Sequence, residues 1–255
     1  MRRPMLFATQ IGYMNKAFWR NPASAFFTFA FPLMFLVIFT ALLGHIKVHL
    51  IGRTISSATY YVAAMAAFSV ITACYTNIAL YVTFQRDLGV LKRTRGTPLP
   101  GGFYLGAKVV HALLIAVLLV VITAAFGRVF YQADIPTGLS LLRFLIVLVV
   151  GAASFSALGL AISGIVPNAD AAPAVINASI LPLLFLSGIF IPLGKNAPSW
   201  IHWIARIFPV LHFANGMQAG FLETSFDWTD VLIVAAWGVA GLIFAVRKFS
   251  WEPRT

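Results

Sequence analysis

The stretch HALLIAVLLVVITAAF, residues 111–126, decides the fold class of this chain, because after its first residue it is apolar around almost every face of a helix. A second stretch, LLRFLIVLVVGAASF at 141–155, has the same character and one charged residue, Arg143. Membrane-spanning β-strands instead alternate apolar and polar side chains. Backbone groups in lipid must hydrogen-bond within the chain, so continuous apolar runs of this length indicate membrane-spanning helices.

The composition of the whole chain supports an integral membrane protein. Of 255 residues, 60% are hydrophobic and 10% are charged, whereas about 25% of the residues in a soluble domain are charged. Apolar runs near the roughly 20 residues that cross a bilayer predict six spans. They lie at about 25–43, 59–83, 103–126, 139–166, 172–193 and 229–246. We therefore predict a single all-α membrane domain over 1–255, in which Cys74 is a small buried hydrophobe.

The segment 1–22 predicts an amphipathic helix that lies flat on the membrane and ends at Pro22. Its apolar face contains Phe7, Ile11, Met14 and Phe18, and its polar face contains Thr9, Lys16 and Arg20. Polar residues interrupt the apolar core that a signal peptide needs, so we expect the segment to be retained.

Basic residues are unequally divided between the two sets of loops that six spans define. One set holds 12 of them: Arg2, Arg3, Lys16, Arg20, Arg86, Lys92, Arg93, Arg95, Lys108, Arg247, Lys248 and Arg254. The other set holds six, with four acids: Lys47, Arg53, Arg128, Arg143, Lys195 and Arg206, then Asp134, Glu223, Asp227 and Asp230. The positive-inside rule predicts that both termini are cytoplasmic. The net charge of +11 then indicates contact with anionic lipid rather than nucleic acid.

The stretch FQRDLGVLKRTRGTPLP, residues 84–100, is the most highly charged predicted cytoplasmic loop. We predict a short amphipathic helix there, with Arg86 and Arg93 toward the cytosol and Pro98 and Pro100 at its end. The residues that share its apolar face, toward the bundle, are Phe84, Leu88 and Leu91. On this pattern alone, the arginines could serve only to set the topology.

The region from Ala171 to Phe221 predicts an interrupted fifth span followed by helices at the outer surface. Proline and glycine within and after the apolar run indicate a kink or break. The residues of this span-five break are Pro182, Ser187, Gly188 and Pro192. Beyond it, 194–228 predicts an outer-face re-entrant or interfacial segment, because it is rich in aromatic residues. These are Trp200, Trp203, Phe208, Phe213 and Phe221.

Together these three segments resemble the membrane subunits of type-2 ABC exporters, especially the bacterial daunorubicin-resistance-like permeases. That family has a pattern like Arg-Glu-x-Gly-x-Leu-x-Arg and then Thr-Pro-Leu between spans two and three. The residues at these places are Arg86, Asp87, Gly89, Leu91, Arg93, Thr97, Pro98 and Leu99, with Asp87 where Glu is common. A Leu-Ser-Gly-x-x-x-Pro element matches Leu186, Ser187, Gly188 and Pro192, and a Pro-x-x-His element matches Pro209 and His212.

The resemblance implies that 84–100 is a coupling helix that docks on a separate ABC ATPase subunit, where ATP and Mg are bound. The coupling residues would be Arg86, Asp87, Leu88, Gly89, Leu91, Lys92, Arg93, Arg95, Thr97 and Pro98. It also implies a bacterial inner-membrane location and a dimer with an identical or homologous permease chain. Export would proceed by alternating access, as in multidrug efflux and antibiotic resistance. The chain itself has no G-x-x-x-x-G-K-[ST] phosphate loop, so we expect no enzyme activity, no cofactor and no metal.

Predicted spans contain almost no ionisable residues, and only His111 lies well inside one, where we expect an interfacial or inter-helix hydrogen bond. This composition favours a hydrophobic or amphipathic substrate, such as a drug, a secondary metabolite or a lipid-like molecule. Candidate pathway residues on spans two and five are Met65, Phe68, Thr72, Tyr75, Asn77, Asn177, Leu181 and Phe185. A channel or scaffold subunit, or a secondary transporter that is not coupled to an ATPase, remains an alternative.

Overall fold

The computed structural model describes residues 3–43, 48–50, 53–97, 99–193, 198–223 and 225–252. These residues form a bundle of helices with one short β-hairpin. The helices are α1 (Arg3–Trp19), α2 (Pro22–Leu43), α3 (Ser57–Ile71), α4 (Asn77–Asp87), α5 (Val90–Arg95), α6 (Gly101–Tyr131), α7 (Gly138–Ser163), α8 (Ala172–Leu186), α9 (Ser199–Ile207), α10 (Pro209–Leu222) and α11 (Trp228–Lys248).

The hairpin is the one departure from an all-helical architecture in the described part of the chain. Strands β1 (Val48–Leu50) and β2 (Arg53–Ile55) pair antiparallel between α2 and α3. Sequence patterns did not predict it, because strands of three residues are too short to show an alternating pattern. Several residues used for predictions lie outside the described residues: Arg2, Lys47, Pro98, Lys195 and Arg254.

Five helical segments of the described chain are long and apolar enough to cross a membrane. They are α2, the continuous α3–α4 segment, α6, α7 and α11, and they coincide with predicted spans one, two, three, four and six. The predicted fifth span, 172–193, contains only the 15 residues of α8. At 1.5 Å per residue α8 is about 22 Å long, shorter than the ~30 Å hydrocarbon core. The chain is thus a multi-pass helical membrane protein.

Contacts between helix termini define two ends of the bundle. At the end that carries α5, Trp251 lies against Gly101, and the carbonyl of Lys248 is close to Gly164. This α5 end therefore contains the start of α6 and the C-terminal ends of α7 and α11. At the opposite end, the backbone N–H of Asp134 donates to the hydroxyl of Thr59 at 3.1 Å.

The segment around α8 connects these same two ends although its helix is short. At the α5 end, the backbone N–H of Ala169 donates to the carboxylate of Asp87. At the opposite end, the hydroxyl of Tyr60 donates to the carbonyl of Gly188. Helix α8 passes through Pro182 and ends at Leu186. The helix therefore does not end at Pro182, because a proline removes only one backbone hydrogen bond, and the chain turns instead at Gly188, where φ is 76°.

The second span is the centre of the core and contains a π-helical turn at Thr72–Thr76. All of α3 is buried, and so is Cys74, as predicted. Gly159 of α7 faces this turn, and a Cβ added there would lie 2.7 Å from the carbonyl oxygen of Tyr75. The absence of a side chain at Gly159 therefore allows α7 to approach the wider π turn closely.

Helix α1 has the apolar face that the sequence predicted. Its residues Phe7, Ile11, Met14 and Phe18 are half-buried, whereas Lys16 and Arg20 are exposed. The ring of Phe7 lies 5.9 Å from that of Phe103, and the ring of Phe18 lies 5.8 Å from that of His111. The apolar face of α1 therefore packs along the first turns of α6.

Helices α9 and α10 form a hairpin that enters the bundle from the end opposite α5. Phe213 of α10 packs on Gly151, and the indole N–H of Trp237 donates to the carbonyl of Ile207 at 2.9 Å. Gly151 and Trp237 are 13 and 9 residues from the starts of α7 and α11. The turn between α9 and α10 is therefore about 14 to 20 Å inside the bundle, so this hairpin re-enters the bundle between the other helices.

Candidate functional site

The candidate site is formed by α4, α5 and the turn between them. Helix α4 ends at Asp87, and Gly89 adopts a φ of 69°, a left-handed conformation that favours glycine. Helix α5 then runs over six residues. The predicted single amphipathic helix is therefore two helices, and residues on either side of Gly89 do not share one helical face.

The faces of this segment differ from the prediction for this reason. Leu91 is buried and Arg93 is exposed, as expected. Phe84 and Leu88, which were expected to face the bundle, are 40% and 70% exposed, and Arg86, expected to face the cytosol, is 2% exposed. The turn at Gly89 rotates α5 relative to α4. The residues before Gly89 are therefore buried or exposed in the opposite sense to the prediction, which treated the whole segment as one helix.

Arg86 binds the C-terminal end of α7 and the loop that follows it. Its guanidinium donates to the carbonyl oxygens of Ser163 at 2.9 Å, Val166 at 2.9 Å and Pro167 at 3.1 Å. Its Nε donates to Asp87 Oδ1 at 3.1 Å. A guanidinium presents several donors in a fixed fork, so it can bind several carbonyls at once. These bonds compensate the burial of its charge.

Asp87 extends the same contact to the start of α8. Its second carboxylate oxygen accepts the backbone N–H of Ala169, three residues before α8 begins at Ala172. We name the set of contacts made by Arg86 and Asp87 with residues 163–169 the Arg86–Asp87 latch. The latch joins the end of α4 to the C-terminal end of α7 and to the loop that leads into α8.

The outward surface of α5 is basic. Four predicted coupling residues are exposed there: Lys92, Arg93, Arg95 and Thr97. Cations in the last turn of a helix interact favourably with its C-terminal carbonyl groups. Leu88, two residues before α5, adds an exposed apolar side chain. The exposed side chains of this segment therefore include one large apolar group and three basic groups.

A second polar cluster links α4 to α6, and sequence reasoning missed it. The side-chain oxygen of Gln85 accepts hydrogen bonds from the hydroxyl of Tyr104 and from Lys108 Nζ, the latter at 3.0 Å. Lys108 was assigned to a loop, but it lies inside α6 and is 5% exposed. The available signal was its position within the predicted span, six residues after Gly102.

The candidate pathway residues fall into two groups. Those of α3, the π turn and the first residue of α4 are buried inside the bundle or half-buried: Met65, Phe68, Thr72, Tyr75 and Asn77. Those of α8 are exposed on one face: Asn177, Leu181 and Phe185. The two helices meet where the hydroxyls of Tyr75 and Ser179 are 2.7 Å apart. The predicted residues are therefore divided between the interior of the bundle and an exposed face of α8.

The Pro-x-x-His element fixes the re-entrant hairpin to α11. Nε2 of His212 lies 2.9 Å from the carbonyl oxygen of Arg206, and Nδ1 lies 2.5 Å from Asp230 Oδ1. A carbonyl oxygen only accepts, so Nε2 donates to the carbonyl of Arg206, while Nδ1 contacts the carboxylate of Asp230. His212 and Asp230 thus form a half-buried pair between α10 and α11.

Comparison with known proteins identifies the relatives of this fold. The family model for ABC-2 type transporters matches residues 6–222. The putative transport permease ycf38 of Porphyra purpurea is 28% identical over 224 residues, covering 86% of this chain and 75% of the relative. YvfS, a putative transport permease of Bacillus subtilis (strain 168), is 26% identical over 178 residues, 70% and 71% of the two chains. The inner membrane transport permease YadH of Escherichia coli (strain K12) is 25% identical over 227 residues, 86% and 82%.

The apolar helices and these relatives define the class of protein, a multi-pass membrane transport permease. Because the family model covers more than half of the sequence, the chain belongs to the ABC-2 type transporter family. It is therefore a membrane subunit of an ABC transporter.

Proposed function

We propose that this chain moves a hydrophobic or amphipathic substrate out of the cytoplasm, driven by ATP hydrolysis on a separate subunit. The observation that carries the proposal is the Arg86–Asp87 latch, which connects an exposed basic helix to the helices beside it. Members of the family generally pair with an ATPase subunit. ATP and Mg would bind to that subunit, and the closure of two ATPases would move α4–α5.

The exposed face of α5 is the proposed docking surface for the ATPase. Leu88 would insert into an apolar cleft, and Lys92, Arg93 and Arg95 would contact acidic groups around it, because exposed complementary charges guide and orient protein association. Arg86, Asp87 and Leu91 would have a different role, since their contacts hold the segment to the bundle. This division refines the predicted coupling set into a docking face and an anchoring face.

The exposed face of α8 is the proposed contact with a second permease chain, identical or homologous. Asn177, Leu181 and Phe185 lie on this face, and their mainly apolar character suits a substrate without a fixed charge. The latch reaches the start of α8, so motion from α5 would arrive at the helix that borders the pathway. Alternating access at this interface follows as the proposed mechanism.

The experiment that tests this function is transport in vesicles that contain the permease and its ATPase. Arg93→Glu combined with Lys92→Glu is expected to abolish ATP-dependent transport and to weaken ATPase binding at least tenfold, because the docking surface changes sign. Lys16→Glu combined with Arg20→Glu reverses two exposed charges on α1 and is the matched control. Full transport by the α5 variant would refute the coupling role, and substrate flux without ATP would support a channel or a secondary transporter.

A further inference from the structure

A cavity of about 400 Å³ lies between α1, α2, α4 and α6. Its polar lining includes Asn21, Ser24, Asn77, Lys108 and His111, and the remaining walls are mainly apolar. A volume of this size is within the usual range for small-molecule sites. The pathway proposed above borders α8, which does not line this cavity, and Asn77 is the one candidate pathway residue among its lining residues.

Lys108 places a buried amino group in this cavity. Its Nζ donates to the neutral Gln85 side chain at 3.0 Å and lies 3.5 Å from the centre of the Tyr81 ring. The ion pairs between described residues are Arg86–Asp87 and His212–Asp230, and neither involves Lys108. An ammonium group has three donors and a buried charge is costly without an anion. The cavity therefore favours an anionic ligand.

His111 supplies a second polar group, one helical turn from Lys108. Its Nε2 is buried and has no hydrogen-bond partner among the described residues, so the predicted inter-helix bond is not found for this atom. Residues three apart on a helix lie on the same face, and both residues line the cavity. A buried polar atom without a partner is destabilising. If the His111 ring rotates, its Nε2 could bind the same anion as Lys108.

The location of the cavity restricts the source of this anion. Lys108 is seven residues from the start of α6, which places it about 10 Å from the α5 end of the bundle. Tyr81 and Phe84 line the cavity and are 46% and 40% exposed, so it reaches the lateral surface of the bundle. Basic pockets between membrane helices near the cytoplasmic surface bind phospholipid headgroups.

We propose that this cavity binds an anionic phospholipid from the leaflet at the α5 end. The phosphate would lie at Lys108 and His111, and part of one acyl chain would lie against the apolar side chains of Met14, Phe18 and Ile115. The apolar walls explain why a lipid fits better than a free phosphate ion. The site would also connect the composition of the membrane with the packing of α1 against α4 and α6.

Native mass spectrometry of the delipidated full chain tests the proposal. The chain is titrated with phosphatidylglycerol or with phosphatidylcholine of the same acyl chains. We expect tighter binding of the first phosphatidylglycerol molecule, and we expect Lys108→Gln to weaken it about fivefold. Lys16→Gln, at an exposed position of α1, is the control for general surface charge and should retain the preference. Unchanged phosphatidylglycerol binding by Lys108→Gln would overturn the proposal.

A second variant tests the cavity itself without changing a charge. Ala17 is exposed on α1 and lines the cavity, so Ala17→Phe should fold and should occupy part of the space for the acyl chain. We expect it to weaken phosphatidylglycerol binding by a similar factor. Retention of full binding by Ala17→Phe would contradict a lipid in this cavity. Full competition by inorganic phosphate or glycerol phosphate would instead identify a site for soluble anions.

Discussion

Arg86 shows how one side chain can determine the geometry of the candidate site. Its guanidinium is almost fully buried, and three carbonyl oxygens and one carboxylate accept its hydrogen bonds. Hydrogen bonds to charged groups stabilise a fold more than neutral ones do, because the unpaired partners are costly to bury. Arg86 is therefore an anchoring residue, although its place in a basic stretch of sequence predicted an exposed side chain.

The first prediction at this scale concerns the loss of Arg86. Arg86→Ala leaves the carbonyls of the latch without donors, and we expect a loss of about 3 kcal/mol of stability. Thermal unfolding of the purified protein in detergent measures the effect. Arg93→Ala, at an exposed position of the same segment, should change stability by less than about 0.5 kcal/mol. Equal melting temperatures for the two variants would contradict the anchoring role.

The second prediction concerns the pair formed by His212 and Asp230. His212→Phe leaves a half-buried carboxylate without its partner, and we expect a loss of about 3 kcal/mol. The double variant His212→Phe with Asp230→Leu should recover a large part of that loss, because no unpaired charge remains. A double-mutant cycle on thermal unfolding measures the coupling. Additive losses would show that the two side chains do not interact.

At the scale of helices, glycines decide how closely neighbouring elements approach. Three glycines mark contacts between α10 and α7, where α10 presents Gly216 and Gly220 to side chains of α7 and α7 presents Gly151 to Phe213. In the same way, Gly159 allows α7 to lie against the π turn of the second span. These close approaches hold the re-entrant hairpin inside the bundle.

The third prediction tests this packing with a single methyl group. A Cβ added at Gly151 would lie 2.0 Å from the ring of Phe213. Gly151→Ala should therefore displace α10 and destabilise the protein by about 1 to 3 kcal/mol, the usual effect of overpacking. Gly12→Ala, in the middle of α1 with no atom near the added Cβ, is the matched control and should be neutral or slightly stabilising. If Gly151→Ala left the stability of the protein unchanged, the close contact between Gly151 and Phe213 would be excluded.

At the scale of the whole molecule, charge and helix ends together define an orientation. The α5 end carries the exposed residues Lys92, Arg93, Arg95, Arg247 and Lys248. The opposite end carries the acidic residues Asp134 and Asp227 and the exposed indoles of Trp200 and Trp203. The positive-inside rule predicts that the α5 end faces the cytoplasm, which is also where the proposed ATPase would meet α5.

The fourth prediction tests this orientation by cysteine labelling. Lys92→Cys should react with a membrane-impermeant thiol reagent only from the cytoplasmic side, and Trp203→Cys only from the outside. The native Cys74 is buried and should contribute no background signal. Inverted and right-side-out vesicles provide the two directions of access. Labelling of Lys92→Cys in intact cells would reverse the assigned topology.

The sequence by itself determined the membrane class, the positions of five long helices and the family resemblance. These properties are local: an apolar run such as 111–126 must form a helix in lipid, whatever its neighbours are. The apolar face of α1 and the burial of Leu91 also followed from local periodicity. The fifth span was less predictable, because its helix ends at a turn and not at the end of its apolar run.

The tertiary structure alone decided which polar side chains are inside. Arg86 meets carbonyls that lie 77 to 81 residues further along the chain, and a local pattern contains no information about such partners. Lys108 was counted with a basic loop, and its contact with Gln85 on another helix could not be read from a local pattern. The depth of α10 likewise depends on Gly151 of α7 and on Gly216 and Gly220 of α10. Burial depends on contacts between residues that are far apart in the sequence. Helical periodicity shows only which residues share a face of a helix, not which face is buried.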